Sequence, residues 1–281
     1  MSLKEGLVAM DLDGTVTDPE RSRDSFVGGY LTALLGLIGD MPMSELELRF
    51  NLAERQVRPE EVEYWWWVNG VPSAPPADFI LMTQAAGRKV IDGLQKERSR
   101  SLKLLESEQG LSDVLKRAYE AGRAGMAIIP REGAAEFVQE LAKQKRLVIV
   151  TNSDPTEAER VLQAIVGENE IPKHGGARKF WVDVEWGEAE GVPVYSEASI
   201  QFLVQEHLRR PDYYKILQQL QPVSVIGDVR TLDLALPEFL GMYVALAVSS
   251  KYTPEWEVRH HLSHSHGTAF GSFDALADKL L

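Results

Sequence analysis

Three short apolar runs each end in residues that can handle a charged oxygen. Residues 7–10 run into Asp11-Leu12-Asp13-Gly14-Thr15, residues 147–150 into Thr151-Asn152-Ser153-Asp154, and residues 223–226 into Gly227-Asp228, with Asp233 five residues further on. Asp11 and Asp13 stand two apart in what reads as extended chain, so both carboxylates point to one side and Leu12 to the other. One carboxylate so placed can attack a phosphorus atom while its neighbour gives a proton to the leaving oxygen, dividing a hard displacement into two steps. Asp11, Asp13 and Asp228 gathered at one edge would repel one another and raise each other's pKa values. A hard divalent cation relieves that repulsion, and magnesium favours one or two carboxylates together with substrate phosphate oxygens. Packing offers no reason for the set, because a buried carboxylate without a partner is costly. Gly14 permits a sharp turn, and the Thr15 hydroxyl can hold the loop.

The elements that must position these residues follow from periodicity. The three runs, and a fourth at 243–248, are short, unalternating and rich in β-branched residues, as central strands of a parallel sheet are. Amphipathic segments lie between them. Residues 132–144 put Ala135, Phe137, Val138 and Leu141 on one side, and 155–166 open with Pro155 at a first helical position. Strand and helix alternate, which predicts an α/β fold. In an open parallel sheet the carboxyl ends of the central strands face one crevice, where ligands bind.

Residues 18–125 interrupt the alternation. They contain no strand-like run, only helical periodicity at 25–39, 44–56, 59–67, 78–106 and 111–121, broken once by the rigid Pro72-Ser73-Ala74-Pro75-Pro76. The pattern predicts an all-helical domain inserted into a core made of residues 1–17 and 126–281. Between 167 and 200, Phe180, Val182, Val184 and Trp186 alternate with Trp181, Asp183 and Glu185. With a turn at 187–191 and a strand at 192–195, this predicts an antiparallel hairpin at the edge of the core. Trp65-Trp66-Trp67 cannot all face one core from a helix, so at least one ring meets the catalytic core, a substrate or another subunit. His260, His261, His264 and His266 precede the last strand without a metal-binding pattern and read as a solvated loop.

Composition narrows the classes. The 281 residues carry 30 Lys and Arg against 42 Asp and Glu, a formal charge of −12, with no basic block to grip a phosphate backbone. Nucleic acid is therefore not an expected partner. The absence of cysteine excludes disulfides, thiolate nucleophiles and cysteine-ligated metals, and favours a cytoplasmic address. The first residues lack the apolar stretch of a signal peptide. The longest charge-free run, 25–39, is short of the roughly 20 residues that cross a bilayer, so it predicts a buried helix and no membrane partner.

The segments LVAMDLDGTVTD (7–18), LVIVTNSD (147–154) and VSVIGDVRTLD (223–233) resemble motifs I, II and IV of the haloacid dehalogenase-like hydrolase superfamily. Residues 18–125 look like its C1-type cap, and 268–281 like its final strand and helix. The resemblance implies a Rossmann-like parallel-sheet core under a helical cap. It implies Asp11 as the nucleophile that becomes an aspartyl-phosphate, and Asp13 as general acid/base. That second aspartate marks the phosphoryl-transfer members and is absent from the dehalogenases themselves. Thr151, with Asn152 beside it, matches the group that holds a phosphate oxygen. Mg2+ would be held by Asp11, the backbone carbonyl of Asp13, and Asp228, with Asp233 ligating directly or through water. The motif III cation falls by position on Arg210, ahead of Pro211, with Lys215 as the alternative and Lys173 or Lys179 as sources elsewhere. The function implied is a magnesium-dependent phosphohydrolase, monomer or homodimer, acting on a small phosphorylated metabolite. The alternatives are a phosphosugar mutase using the same aspartates and a non-catalytic protein that keeps the fold.

Overall fold

The central sheet has six strands, all parallel: β1 (Val8–Met10), β4 (Leu147–Val150), β5 (Lys173–His174), β6 (Ser224–Gly227), β7 (Tyr243–Ala247) and β8 (Gly267–Phe270), in the order β5-β4-β1-β6-β7-β8. A separate antiparallel pair, β2 (Trp66–Val68) and β3 (Val71–Ala74), lies in the insertion. The computed structural model describes residues 3–39, 41–59, 61–97, 108–167, 170–202 and 206–281. β1 is flanked by β4 and β6, with Val8 opposite both Leu147 and Ser224 and Met10 opposite Ile149 and Ile226.

Alternate residues of each strand enter different cores, as the pleat requires. Val8, Met10, Leu147 and Ile149 pack against α5 (Ala134–Lys143), α6 (Pro155–Val166) and α11 (Asp274–Leu280). Ala9, Val148, Val150 and Val225 face the other way, toward α8 (Pro211–Leu220) and α9 (Ala235–Phe239). The result is an α/β core of three layers with both sheet faces covered, which is why these strands read as unbroken apolar runs. Truncating a side chain such as Phe137, buried between α5 and the sheet, would cost roughly 3–5 kcal/mol.

The insertion builds a core of its own. α1 (Pro19–Ile38) is N-capped by Asp18, whose Oδ1 accepts from the Glu20 and Arg21 N–H groups at 3.0 and 3.1 Å, with Pro19 at the first helical position. The charge-free run lies in this helix and turns Phe26, Tyr30, Leu31 and Leu34 into a cluster shared with α2 (Met43–Gln56), α3 (Phe79–Glu97) and α4 (Glu108–Gly125). Among the described residues no single helix is long and apolar enough to cross a membrane.

Three expectations are corrected. The insertion is not all helical. Trp66 and Trp67 sit on β2, and Pro72 to Ala74 belong to β3 rather than to a rigid loop. The tryptophans separate accordingly: Trp65 is buried with its indole N–H on the Pro59 carbonyl at 2.7 Å, while Trp66 and Trp67 remain about half exposed. Residues 180–195 form no hairpin, although their alternation imitates one. Several of their carbonyls are taken by side chains instead: Ser73 donates to Phe180, Asn69 to Val182, and Arg209 to Val184 and Val192. Backbone groups of residues 206–209 meet the segment as well, through Asp183 N–H to the Arg209 carbonyl and Leu208 N–H to the Val194 carbonyl, and β5 supplies the sheet edge. The histidines do not all lie in a solvated loop. His260 and His261 are buried on α10 (Glu255–Ser263), where His260 Nε2 lies 2.7 Å from Glu238 Oε1 and His261 Nε2 lies 3.3 Å from the Arg230 guanidinium. The remaining helix, α7 (Glu197–Phe202), precedes this region in the chain.

Candidate active site

Asp11, Thr151 and Asp228 each follow a strand, and the β4-β1-β6 order brings the three strand ends side by side. A cavity of about 340 Å³ opens between them and the helical insertion, and Asp11, Asp13, Thr151, Asn152, Asp228 and Asp233 all line it.

The loop after β1 is shaped by close contacts. Gly14 has φ +79°, and a Cβ there would fall 2.0 Å from Asp228 Oδ2, so only glycine lets the two segments approach. Its N–H donates to Thr17 Oγ1 at 2.8 Å. The buried Arg131 guanidinium, just past the insertion, donates to the carbonyls of Gly14, Thr15 and Val248 and fixes the loop from behind. The Thr15 hydroxyl sits between two carboxylates, 3.2 Å from Asp228 Oδ1 and 3.4 Å from Asp11 Oδ2.

The cation at this site is Lys179, not Arg210. Lys179 Nζ lies 2.6 Å from Asp11 Oδ1 and 2.6 Å from Asp233 Oδ1, with only 1% of the residue exposed. Burial opposes the ammonium, but Asp11 and Asp233 outweigh it and hold the group far above the usual lysine range. Arg210 is buried behind the site. It donates to the backbone carbonyls of His207, Lys179 and Ser73, and none of its nitrogens reaches a site carboxylate. Lys215 is exposed on α8, and Lys173 pairs with Glu159 at the sheet edge. A guanidinium with five donors in a fixed fork suits three carbonyls; one ammonium suits two converging carboxylates.

The sequence reading names Lys179 only as a remote alternative to Arg210, because it stands in an irregular segment with neither a helix start nor a proline to mark it. Its one signal is a lysine, next to Arg178, on the polar side of the Phe180–Trp186 alternation and ahead of an acidic stretch. Arg123 went unnoticed because it stands in the last turn of a helix, where a basic residue is ordinary. From the last turn of α4 it reaches Asp13 Oδ1 at 2.9 Å, Ser153 Oγ at 3.1 Å and Glu157 Oε1 at 2.9 Å. Ser153 Oγ also makes a short hydrogen bond to Asp13 Oδ2 at 2.5 Å.

Motif II divides its tasks. Asp154 caps α6 through the Thr156 and Glu157 N–H groups, so capping does not draw on Thr151. Thr151 Oγ1 accepts the Ser153 N–H at 3.2 Å at the cavity wall, and Asn152 Oδ1 accepts the Lys179 N–H at 2.7 Å, holding the lysine segment in place. Asp233 sits on a π-helical turn after β6, where its Oδ2 accepts the Val229 N–H at 3.1 Å.

Electrostatically the site is short of positive charge. Burial, together with Asp233 and Asp13 and against Lys179, pushes the Asp11 carboxyl up to about 8. Burial and the neighbouring Asp233 and Asp11 hold Asp228 well above the carboxylate range. Oxygens of Asp11, Asp228 and Asp233 lie within 4.8 Å of one another. These three carboxylates face the ammonium of Lys179, with the Arg131 guanidinium acting on Asp228 from behind the loop, so negative charge remains in excess when all are ionised. Neither Lys179 nor Arg123 bonds to Asp228. An all-oxygen donor set with that excess fits a divalent magnesium-like ion.

The profile described as haloacid dehalogenase-like hydrolase matches residues 6–228, and the chain belongs to that family. No curated protein matches the chain. Its fold is shared by a candidate phosphoglycolate phosphatase from Lactobacillus delbrueckii subsp. bulgaricus (11% identity, TM-score 0.51, covering 100% of this chain and 99% of that one). It is shared also by a candidate phosphatase from Clostridium difficile (14% identity, TM-score 0.50, 98% of each chain). The magnesium-bound candidate hydrolase YfnB from Bacillus subtilis is similar too (12% identity, TM-score 0.50, 99% of each chain).

Proposed function

We propose that this hydrolase is a magnesium-dependent phosphomonoesterase that acts on a small phosphorylated metabolite through an aspartyl-phosphate at Asp11. The observation that carries the reading is the pairing of two carboxylates in one crevice: Asp11 beside the Lys179 ammonium and Asp13 two residues on, held by a separate cation.

The division of labour follows from position. A substrate phosphoryl group enters between Asp11, Thr151 and Lys179, whose ammonium and hydroxyl meet its oxygens. An Asp11 oxygen forms a bond to phosphorus as the ester P–O bond breaks, and the leaving oxygen takes a proton from Asp13. Water then attacks the same phosphorus, its proton passes to Asp13, the bond to Asp11 breaks and orthophosphate leaves. The protonation state of Asp13 thus alternates between the two halves, and Arg123 with Ser153 keeps its carboxyl aimed throughout. Asp11, Asp228 and the Asp13 carbonyl would hold magnesium, with Asp233 beside them; bound there, the ion neutralises phosphoryl charge. Helices α1–α4 act as a cap that excludes bulk water.

The test is a screen of phosphate monoesters with saturating magnesium, reading orthophosphate. Wild-type protein releases it; Asp11→Asn, nearly isosteric but unable to attack phosphorus, does not. A residual rate above a tenth of wild type in that variant would overturn the covalent route. Isomerisation with total ester phosphate conserved would identify a mutase instead.

A further inference from the structure

Beyond the phosphoryl end, the cavity is mostly apolar. Its walls are Trp66, Ile80, Leu81, Tyr119, Phe180 and Leu232, contributed by the β2–β3 hairpin, α3, α4, the Lys179 segment and the turn after β6. Several polar groups among its lining are engaged, while Gln84 and Lys116 line it as well. Arg123 is taken by Asp13, Ser153 and Glu157. Asp78 Oδ1 accepts the Leu81 N–H at 2.7 Å at the start of α3. Lys116 is exposed, 3.9 Å from Glu120. A carboxylate-bearing leaving group would find no uncommitted guanidinium there, and for a cation only the solvent-exposed ammonium of Lys116. A polyol would bury several hydroxyls against carbon, at about 1–3 kcal/mol each.

Trp66 is the most informative of the six. The register of the hairpin slips between Trp66 and Trp67, and such bulges re-aim a side chain beside functional sites. The hairpin is clamped to the catalytic core. Arg210 donates to the Ser73 carbonyl at 2.7 Å and to that of Lys179, and Ser73 Oγ donates to the Phe180 carbonyl. Trp66 and Phe180 therefore stand on one rigid unit with Lys179, yet Trp66 remains 43% exposed. A pre-positioned aromatic ring left half bare in a concave wall is a surface for a ligand to cover.

We infer that the leaving group of the substrate is a compact apolar body of about one ring, preferably aromatic, seated against Trp66 and Phe180; this rests on the phosphomonoesterase reading of the same site. Arg210 joins the Lys179 segment to the wall that carries Trp66.

Two readouts separate the inference from the reading beneath it. The first is orthophosphate release, with magnesium, from 2-phenylethyl phosphate, ribose 5-phosphate and phosphoglycolate, all esters of primary alcohols. The phenylethyl ester is expected to have a kcat/KM at least tenfold above the other two. Trp66→Ala should shrink that ratio at least fivefold, mainly through KM, and Trp66→Phe should restore most of it. The second is calorimetric binding of two phosphonates that cannot be hydrolysed, 3-phenylpropylphosphonate and 3-phosphonopropionate, with the former at least tenfold tighter. Turnover and binding that favour the hydrophilic ligands, or a ratio unmoved by Trp66→Ala, would overturn the apolar assignment while leaving the phosphatase intact. Selective binding of the phenyl phosphonate without turnover of any ester would support the apolar assignment and overturn the phosphatase.

Discussion

Arg123, in the last turn of α4, grips both oxygens of Asp13, at 2.9 Å to Oδ1 and 3.4 Å to Oδ2. The contact joins the end of the helical insertion to the second aspartate of motif I, and the same guanidinium reaches Glu157 on α6. Any movement of α4 relative to the sheet therefore re-aims the Asp13 carboxyl. Neighbouring carboxylates more than offset the cost of burial and keep the guanidinium charged.

Removing that grip should impair catalysis more than substrate binding. Arg123→Ala is expected to lower kcat by about 10–100-fold, the range for misplaced reacting groups, with KM changing less. Arg123→Lys should recover part of it, since the charge survives without the fork. Steady-state kinetics on one ester checks this. An unchanged kcat in both variants would show that Asp13 is oriented from elsewhere.

Lys179 and Arg210 should part company on different measurements. Lys179→Ala is expected to cost about 2.7–4 kcal/mol of barrier, or 10²–10³ in kcat, as loss of a positioned charge-stabilising donor does. Lys215→Ala should stay within about twofold. Arg210→Ala leaves buried carbonyls of His207, Ser73 and Lys179 without their donor, at about 2–4 kcal/mol in stability, and should lower Tm by roughly 5–10 °C. Thermal unfolding beside kinetics separates the two roles.

Magnesium should stabilise the fold through Asp228. At a hundred times its Kd, an ion bound to the native state alone adds about 2.7 kcal/mol. Wild-type Tm should rise on titration with magnesium and fall back with chelator, whereas Asp228→Asn should respond little. Without metal, Asp228→Asn should be as stable as wild type or more so, because one of three crowded carboxylates has lost its charge. A full magnesium response in that variant would remove Asp228 from the ligand set.

A second buried carboxyl sets a pH dependence away from the crevice. Burial pushes Glu257 up to about 8; Glu206 acts in the same direction, and Arg230 opposes it. His260 and His261 share its helix. The unfolded chain releases this proton near 4.5 and the native state only near 8. Between those values the native state binds more protons, so stability declines as pH rises through the window and levels off above it, by a total of order 3–5 kcal/mol. Glu257→Gln should flatten this slope. The variant should unfold at a higher temperature than wild type at pH 9, and no higher at pH 5. Parallel Tm profiles for the two proteins would show that Glu257 titrates normally.

What could be read along the chain was what depends on neighbours in sequence. An apolar run followed at once by Asp11, Thr151 or Asp228 declares a strand and the polar group at its end, because strand, turn and side-chain direction are local properties. The parallel sheet then follows, and with it the meeting of those residues in one crevice. Capping by Asp18 and Asp154 is equally local, each bonding N–H groups two and three residues ahead.

Long-range polar contacts decided the rest. The alternation at 180–186 has the period of a strand, but Ser73, Asn69 and Arg209 satisfy its carbonyls from more than twenty residues away, and periodicity carries no trace of them. The pairing of Trp66 with Ala74 overrode a helical reading of three successive tryptophans. Lys179 meets Asp11 across 168 residues and Asp233 across 54. Sequence by itself determined the fold class and the row of acidic strand ends, since both arise from short-range pattern. Only the tertiary structure decided which cation meets those acids, because an ammonium goes where folding brings two carboxylates within reach, and no spacing along the chain encodes that distance.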